Sequence, residues 1–148
     1  MFKFYLLIFI LFELIGQSSI AAENNIGYIK NAEGEAAVMI GSETVNAKPG
    51  TPVRLGNILK TGEHGSLGVT FKDNTLMSIG HNTEVVVDEY LYAPAHDDLK
   101  LVATLTKGTL HYISGIIAKL KPEAVTLVTP TGTIGVRGTN FVVKAGEE

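Results

Sequence analysis

The chain contains no cysteine, and this absence excludes several classes of chemistry. Without cysteine there is no disulfide, no thiol nucleophile, no cysteine-ligated metal and no lipid-modified cysteine of the kind that anchors bacterial lipoproteins. A domain without these supports has to be stabilised by its apolar core. The 148 residues suit one domain, and 45% of them are apolar. We therefore expect a single domain that is held together by packing.

Clusters of basic residues are missing as well. The net charge is −3, and the densest basic cluster is the pair Lys119 and Lys121, which we interpret as ordinary solvent-exposed surface. A nucleic-acid-binding surface needs a clustered basic face, and a membrane-surface segment needs a basic stretch. We expect neither nucleic acid nor a lipid surface as a partner.

Catalytic and metal-binding patterns are not present either. Ser78 lacks the glycine two positions earlier that a nucleophile elbow requires. The glycine-rich residues 132–138 lack the Lys-Ser/Thr of a phosphate-binding loop. We therefore predict a non-enzymatic protein with no catalytic residue, no cofactor and no metal site. The histidines, which show no H-x-H or H-x-x-x-H spacing, are His64, His81, His96 and His111.

The first residues have the organisation of a secretory leader. Lys3 precedes the apolar run 4–12, and small residues surround position 22. The run is interrupted by Glu13 and is shorter than the about 20 apolar residues of a spanning helix. We predict a cleaved signal peptide over residues 1–22, a mature domain over 23–148 and no integral span after cleavage; an uncleaved membrane anchor is the alternative. The predicted location is the periplasm or the extracellular space.

The mature region alternates between short apolar runs and glycine, proline or asparagine breakers. Such spacing predicts an all-β fold of two packed sheets of short strands, with solenoid-like windings as the alternative form. At most one short helix is expected, in the window 115–124, where Pro122 would end it. The predicted strands cover residues 35–40, 53–59, 67–71, 76–79, 84–92, 99–105, 109–113, 125–128 and 141–143.

The glycine-rich stretch near the end of the chain carries one charged residue, Arg137. The glycines around it indicate a tight turn with close backbone approach. A guanidinium in such a place needs acceptors, because a buried unpaired charge is unfavourable. We expect Arg137 to be structural and paired with Asp73 or Asp88; a role in binding a ligand anion is the alternative.

Aromatic residues are few, with no tryptophan and five tyrosines. Sugar-binding sites usually present aromatic platforms, so their scarcity favours a protein-binding or sensory module. The alternative, a carbohydrate- or cell-wall-binding module, depends on three candidate surface aromatics. These are Tyr90, Tyr92 and Tyr112.

Three segments resemble the FecR family of bacterial periplasmic sensor domains. Residues 56–62, Gly-Asn-Ile-Leu-Lys-Thr-Gly, resemble its first turn, and residues 65–76 resemble its following strand and turn. Asn57 and Asn74 stand where the family commonly has an acid and a glycine, and both still suit turns. Residues 129–139, here called the closing motif, resemble the end of the family's pattern. The residues of this motif that we single out are Thr129, Pro130, Gly135, Arg137, Gly138 and Thr139.

The resemblance implies a recognition module of the bacterial envelope and names no particular ligand. The family's founding regulators carry a segment that binds a sigma factor and a membrane span before this domain. Here the predicted leader occupies that position, so we expect a standalone exported member of the family. Its expected partner is a protein of the envelope or a secreted protein.

Overall fold

The computed structural model describes residues 24–138 and 140–146, so the predicted leader lies outside the described part of the chain. Its segments alternate between strands and tight turns, and the predicted all-β class is confirmed. The described residues form twelve strands. These are β1 (Asn25–Glu33), β2 (Ala36–Ile40), β3 (Glu43–Asn46), β4 (Pro52–Arg54), β5 (Ile58–Thr61), β6 (Ser66–Phe71), β7 (Leu76–Ile79), β8 (Glu84–Ala93), β9 (Asp98–Ile113), β10 (Val125–Thr129), β11 (Gly132–Gly135) and β12 (Asn140–Ala145).

The strands form one curled sheet whose two halves share β9. The strand order is β3-β2-β5-β8-β9-β7-β6-β1-β4. The first part of β9 pairs with β8 on one side and with β10 on the other. Its last part pairs with β7 and β12. Pairing is antiparallel except between β9 and β10, so the described strands form a curled sheet and not the stacked parallel windings of a solenoid.

Gly108 marks the point at which β9 changes partners. Its φ is +96°, a conformation that glycine adopts without a steric penalty. The backbone and side chain of Thr83 lie against it and leave no room for a Cβ atom. The sequence predicted two strands on either side of this glycine, whereas the structure has one strand of 16 residues.

The inner faces of both halves enclose a single core. Successive side chains of a strand point to opposite faces, so every second residue turns inward. In β9 these inward residues are Leu99, Leu101, Ala103 and Leu105, and all are buried. The largest fully buried side chains, drawn from both halves and from the helix, are Tyr112, Phe71, Ile29, Leu59, Leu67, Met77, Ile79, Leu101, Leu105, Leu110, Ile117 and Leu127.

Among the described residues, α-helix is confined to one short segment between β9 and β10. The helix α1 covers Ile116–Leu120, within the predicted window, and Pro122 begins a 3-10 turn over Pro122–Ala124. A second 3-10 turn, Pro94–His96, joins β8 to β9. Across the described residues, no helix has the length and apolar character needed to cross a membrane.

Candidate functional site

The closing motif folds into a hairpin of β10 and β11. A two-residue turn, Pro130 and Thr131, connects Thr129 to Gly132. Proline at the second position and glycine at the fourth suit a type I turn. The Thr129 hydroxyl adds a hydrogen bond to the Gly132 carbonyl at 2.9 Å. Of the other predicted motif residues, Gly135 ends β11, Arg137 and Gly138 follow it, and Thr139 lies outside the described residues.

Strand β11 is an open edge of the sheet. Among the strands that the structure describes it pairs only with β10, and its four residues are all exposed. In a two-residue hairpin the residues that flank the turn form a hydrogen-bonded pair, and the pairs alternate from there. Thr133 and Gly135 therefore direct their backbone N–H and C=O groups away from β10. These groups can pair with an added strand.

The glycines of the motif do not form the tight, closely packed turn that the sequence predicted. Gly132 and Gly135 are extended strand residues, and only Gly138 has a positive φ, at +119°. A Cβ atom at any of the three would meet nothing within 4 Å. The turn is made by Pro130 instead. The glycines leave the backbone of the edge strand uncovered by side chains.

The expected burial and pairing of Arg137 are wrong. Its side chain is exposed, and no ion pair joins it to another residue in the described ranges. Asp73 is buried elsewhere, and Asp88 accepts a hydrogen bond from Thr104 at 2.6 Å. Val136 takes the inward position, at 4% exposure, so its neighbour in the chain points outward. The guanidinium is therefore available to a carboxylate of a ligand or partner.

Arg137 lies at the rim of a cleft of about 680 Å³ at the base of the hairpin. The segment that carries it is fixed at both ends. The Val136 N–H donates to the Val125 carbonyl at 3.4 Å, and the Ser114 hydroxyl donates to the Gly138 carbonyl at 2.9 Å. Glu123 and Arg137 place opposite charges around the cleft. The site is thus a fixed segment that presents, beside an open strand edge, a cation with no ion-pair partner in the described ranges.

Sequence reasoning assigned no central role to Asp73, yet this residue joins three elements. Its carboxylate is fully buried and accepts hydrogen bonds from the Thr75 hydroxyl at 2.7 Å and the Tyr90 hydroxyl at 2.9 Å. It also accepts from the Ile117 N–H at 3.1 Å, at the start of α1, where backbone donors lack partners. Asp73 thereby holds the β6–β7 turn, β8 and α1 together. The signal in the sequence is an acid in a short turn between two apolar strands.

The three tyrosines do not form an exposed platform, so the prediction of surface aromatics is wrong for two of them. Tyr90 is 8% exposed and Tyr112 is 0% exposed, whereas Tyr92 is half-buried. Tyr90 stacks on Phe71 with ring centroids 5.8 Å apart, and Tyr112 stacks on Phe141 at 4.9 Å. These rings belong to the core and its margin.

A β-bulge explains why Tyr90 turns inward. The register between β8 and β9 shifts between Val87 and Glu89, and this reverses the alternation beyond that point. Asp88 and Glu89 are consequently both exposed, although alternation predicts opposite faces. Burial raises the pKa of the Tyr90 phenol, and the nearby Asp73 charge raises it further.

The Tyr112 phenol is also perturbed. Burial raises its pKa, while the hydroxyls of Ser114 and Thr75 act in the opposite direction. On the outer surface, His111 Nε2 and Asn140 Oδ1 lie 2.5 Å apart and link β9 to β12. Within residues 24–138 and 140–146, no three or more histidine, aspartate or glutamate side chains are close enough together to hold a metal ion.

Fold and site together define an all-β domain with an exposed edge hairpin. The chain belongs to the FecR family: the family model described as FecR protein matches residues 57–148. This range contains β5 to β12, the Asp73 turn and the closing motif, and it confirms the resemblance seen in the sequence. Strands β1 to β4 precede the match and complete both halves of the sheet. Comparisons with curated proteins and with solved structures found no match.

Proposed function

We propose that this FecR-family domain is a non-enzymatic sensory module that binds an envelope or secreted protein by strand addition at β11. Arg137 pairs with a carboxylate of that partner. The observation that carries the proposal is the open, uncharged edge of β11, which ends two residues before a guanidinium that forms no ion pair within the described ranges. Family membership supports a regulatory or sensory role, and the leader pattern supports export.

The four sheet edges in the described part of the chain differ in their protection against pairing. Natural proteins protect exposed edges with charged residues or proline. β3 carries Glu43, β4 begins with Pro52, and β12 carries Lys144. β11, with the sequence Gly-Thr-Ile-Gly, has neither charge nor proline. An unprotected edge beside a cation on a fixed backbone segment suits recognition of an extended peptide, in which backbone hydrogen bonds give affinity and side chains give specificity.

The carbohydrate alternative loses its main support. A sugar platform needs exposed aromatic faces, and two of the three candidate tyrosines are buried in the core. Of these three candidates, only Tyr92 is partly exposed. The site that remains is polar backbone and one cation, which fits a protein partner better than a sugar ring.

Substitutions at Thr133 test the strand-addition proposal. Thr133→Pro removes an outward N–H without breaking a hydrogen bond to β10, and Thr133→Ala removes the same side chain but keeps the N–H. With the exported protein as bait in envelope extract, we expect Thr133→Pro to lose the captured partner and Thr133→Ala to keep it. Equal capture by the two variants would show that β11 is not the interface.

The role of Arg137 is tested with a matched change of charge. Arg137→Ala should weaken partner binding by about tenfold or more, since truncating one member of an interface charge pair affects dissociation strongly. Lys30→Ala removes an exposed cation from β1 and should leave binding unchanged. Equal losses in the two variants would indicate a non-specific charge effect and would contradict the assigned role.

A further inference from the structure

A second concave site lies where the ends of β4, β1 and β6 face β8. It is a pocket of about 580 Å³, and it shares no lining residue with the hairpin cleft. Its walls come from both halves of the sheet: Asn25, Arg54 and Lys72 lie on one side, and Tyr90 and Tyr92 lie on the other. Small-ligand pockets are usually clefts or cavities of about 300–1,000 Å³, and this one falls within that range.

The pocket lining is positively charged. Arg54 and Lys72 contribute to it, and none of the described residues that line it is acidic. The two cations lie on either side of β1. Arg54 is the partner of Asn25 in the β1–β4 register, and the backbone N–H of Lys72 donates to the Ile26 carbonyl at 3.0 Å. Two strand spacings, about 10 Å, separate their backbones, so both side chains can reach one bound group. This concentration of positive charge contrasts with the net charge of −3 of the whole chain.

Arg54 is oriented rather than free. Its Nε donates to Asn25 Oδ1 at 3.2 Å, and Asn25 is buried at 4% exposure. Within the described ranges neither Arg54 nor Lys72 forms an ion pair. A guanidinium held at Nε can direct its terminal nitrogens to a planar carboxylate or to a phosphate. Fixing it in advance lowers the entropy lost on binding.

The aromatic wall is fixed as well. The Tyr90 hydroxyl donates to Asp73 at 2.9 Å, and its ring stacks on Phe71, so this side of the pocket is rigid. Tyr92 is half-buried beside it, and Ile26 adds an apolar surface. The pocket therefore combines two cations with a ring-binding wall.

We propose that this pocket binds a small organic anion with a ring or apolar body. Arg54 and Lys72 hold the anionic group, and Tyr92 and Ile26 contact the body of the ligand. The inference does not depend on the strand-addition interface, since the two sites have separate linings.

A matched pair of probes tests the ligand class. Benzoate and benzamide share a ring and differ in charge, so nuclear magnetic resonance titration of the exported protein compares them directly. We expect benzoate to bind at least about tenfold more tightly than benzamide, a difference of about 1.4 kcal/mol. Phenyl phosphate, titrated in parallel, distinguishes a phosphate from a carboxylate ligand. Equal binding of benzoate and benzamide, perturbations that map away from Tyr92, or no saturable binding of either anion would overturn the proposal.

Substitutions test whether the two cations hold the anionic group. Arg54→Gln and Lys72→Gln should each weaken binding of the preferred anion by about fivefold or more, and Lys60→Gln, an exposed residue on β5, should not. Thermal melts identify any variant that fails to fold. If Arg54→Gln fails to fold, the test rests on Lys72→Gln, and an unchanged affinity for the anion in that variant contradicts the assignment. Thr133→Pro should leave anion binding intact, which separates failure of this site from failure of the β11 interface.

Discussion

At the scale of single residues, Asp73 differs from every other charged residue in the described ranges because it alone is buried. Each carboxylate oxygen accepts two hydrogen bonds: Oδ1 from the Thr75 N–H and the Tyr90 hydroxyl, Oδ2 from the Thr75 hydroxyl and the Ile117 N–H. Four hydrogen-bond donors compensate the cost of burying this charge. If an amide replaces the carboxylate, its NH₂ group faces some of those donors and leaves them without an acceptor.

Asp73→Asn should therefore destabilise the fold by about 2–4 kcal/mol, because an amide nitrogen would face donors that the carboxylate now satisfies. Urea unfolding measures the effect. Asp88→Asn is the control: that carboxylate is exposed, and the change should stay within about 0.5 kcal/mol. Similar values for the two variants would mean that the Asp73 network contributes little.

The Tyr90 phenol gives a pH dependence. Burial raises its pKa in the folded state, whereas the unfolded chain ionises near the usual tyrosine value of about 10. Above that pH the unfolded state binds fewer protons, so stability falls by about 1.4 kcal/mol per pH unit for this residue. Unfolding free energies between about pH 9 and 11 should fall less steeply in Tyr90→Phe than in the parent. Tyr28→Phe, at an exposed side chain, is the control; an unchanged slope in Tyr90→Phe would count against the assignment.

Arg137→Ala should leave thermal stability within about 0.5 kcal/mol of the parent, because the side chain is exposed and has no ion-pair partner in the described ranges. The structural role expected from the sequence, with a buried partner, would instead imply a loss of about 2–4 kcal/mol. Thermal melts decide between the two. A loss above about 2 kcal/mol would restore the structural role and remove Arg137 from the proposed interface.

At the scale of elements, the sequence predicted best those strands that alternate regularly between clear breakers. Residues 76–79 match β7 in full, and β6, β8 and β10 lie within one or two residues of their predicted bounds. β11 was missed because its two glycines have weak strand propensity, and its conformation comes from pairing with β10. β1 was missed because a register shift buries three consecutive residues, Asn25, Ile26 and Gly27, and hides the alternation.

The position of the candidate site was predictable, and its exposure was not. The resemblance to the family located the closing motif. Which of Val136 and Arg137 points inward, however, goes with contacts to distant parts of the chain, such as the hydrogen bond from the Val136 N–H to the Val125 carbonyl. Nothing in a glycine-framed segment fixes that choice beforehand. Tyr90 was misassigned for a related reason, because a bulge at Asp88 changes which face the following residues occupy.

A substitution at Gly108 tests whether the single long strand β9 requires the positive φ of this residue. Gly108→Ala should destabilise the fold by more than about 2 kcal/mol, since φ is +96° and Thr83 occupies the space of a Cβ atom. Gly132→Ala, in open space and without positive φ, should change stability by about 0.5 kcal/mol or less. Chemical unfolding of both variants is the measurement. A tolerated alanine at residue 108 would show that this conformation is not required.

At the scale of the whole molecule, export with cleavage is the prediction that most affects where the domain works. Intact mass spectrometry of the protein from the periplasmic fraction or medium should give a chain that begins near residue 22 or 23, because small residues follow the apolar run there. A full-length species in the membrane fraction would contradict cleavage and favour the membrane anchor.

The shared strand β9 also determines when the domain can fold. β7 and β8 are neighbours in the chain, but they do not pair with each other, because β9, whose last residue is Ile113, lies between them in the sheet. About three quarters of the chain must therefore be available before either half can close over the core. In a chain that emerges amino end first, the earlier strands cannot pair with the central strand β9 until β9 itself has emerged. Closure of the core then comes late, and long-range pairing makes it slow. Delayed closure of this kind suits a polypeptide that has to pass through a narrow channel while still extended.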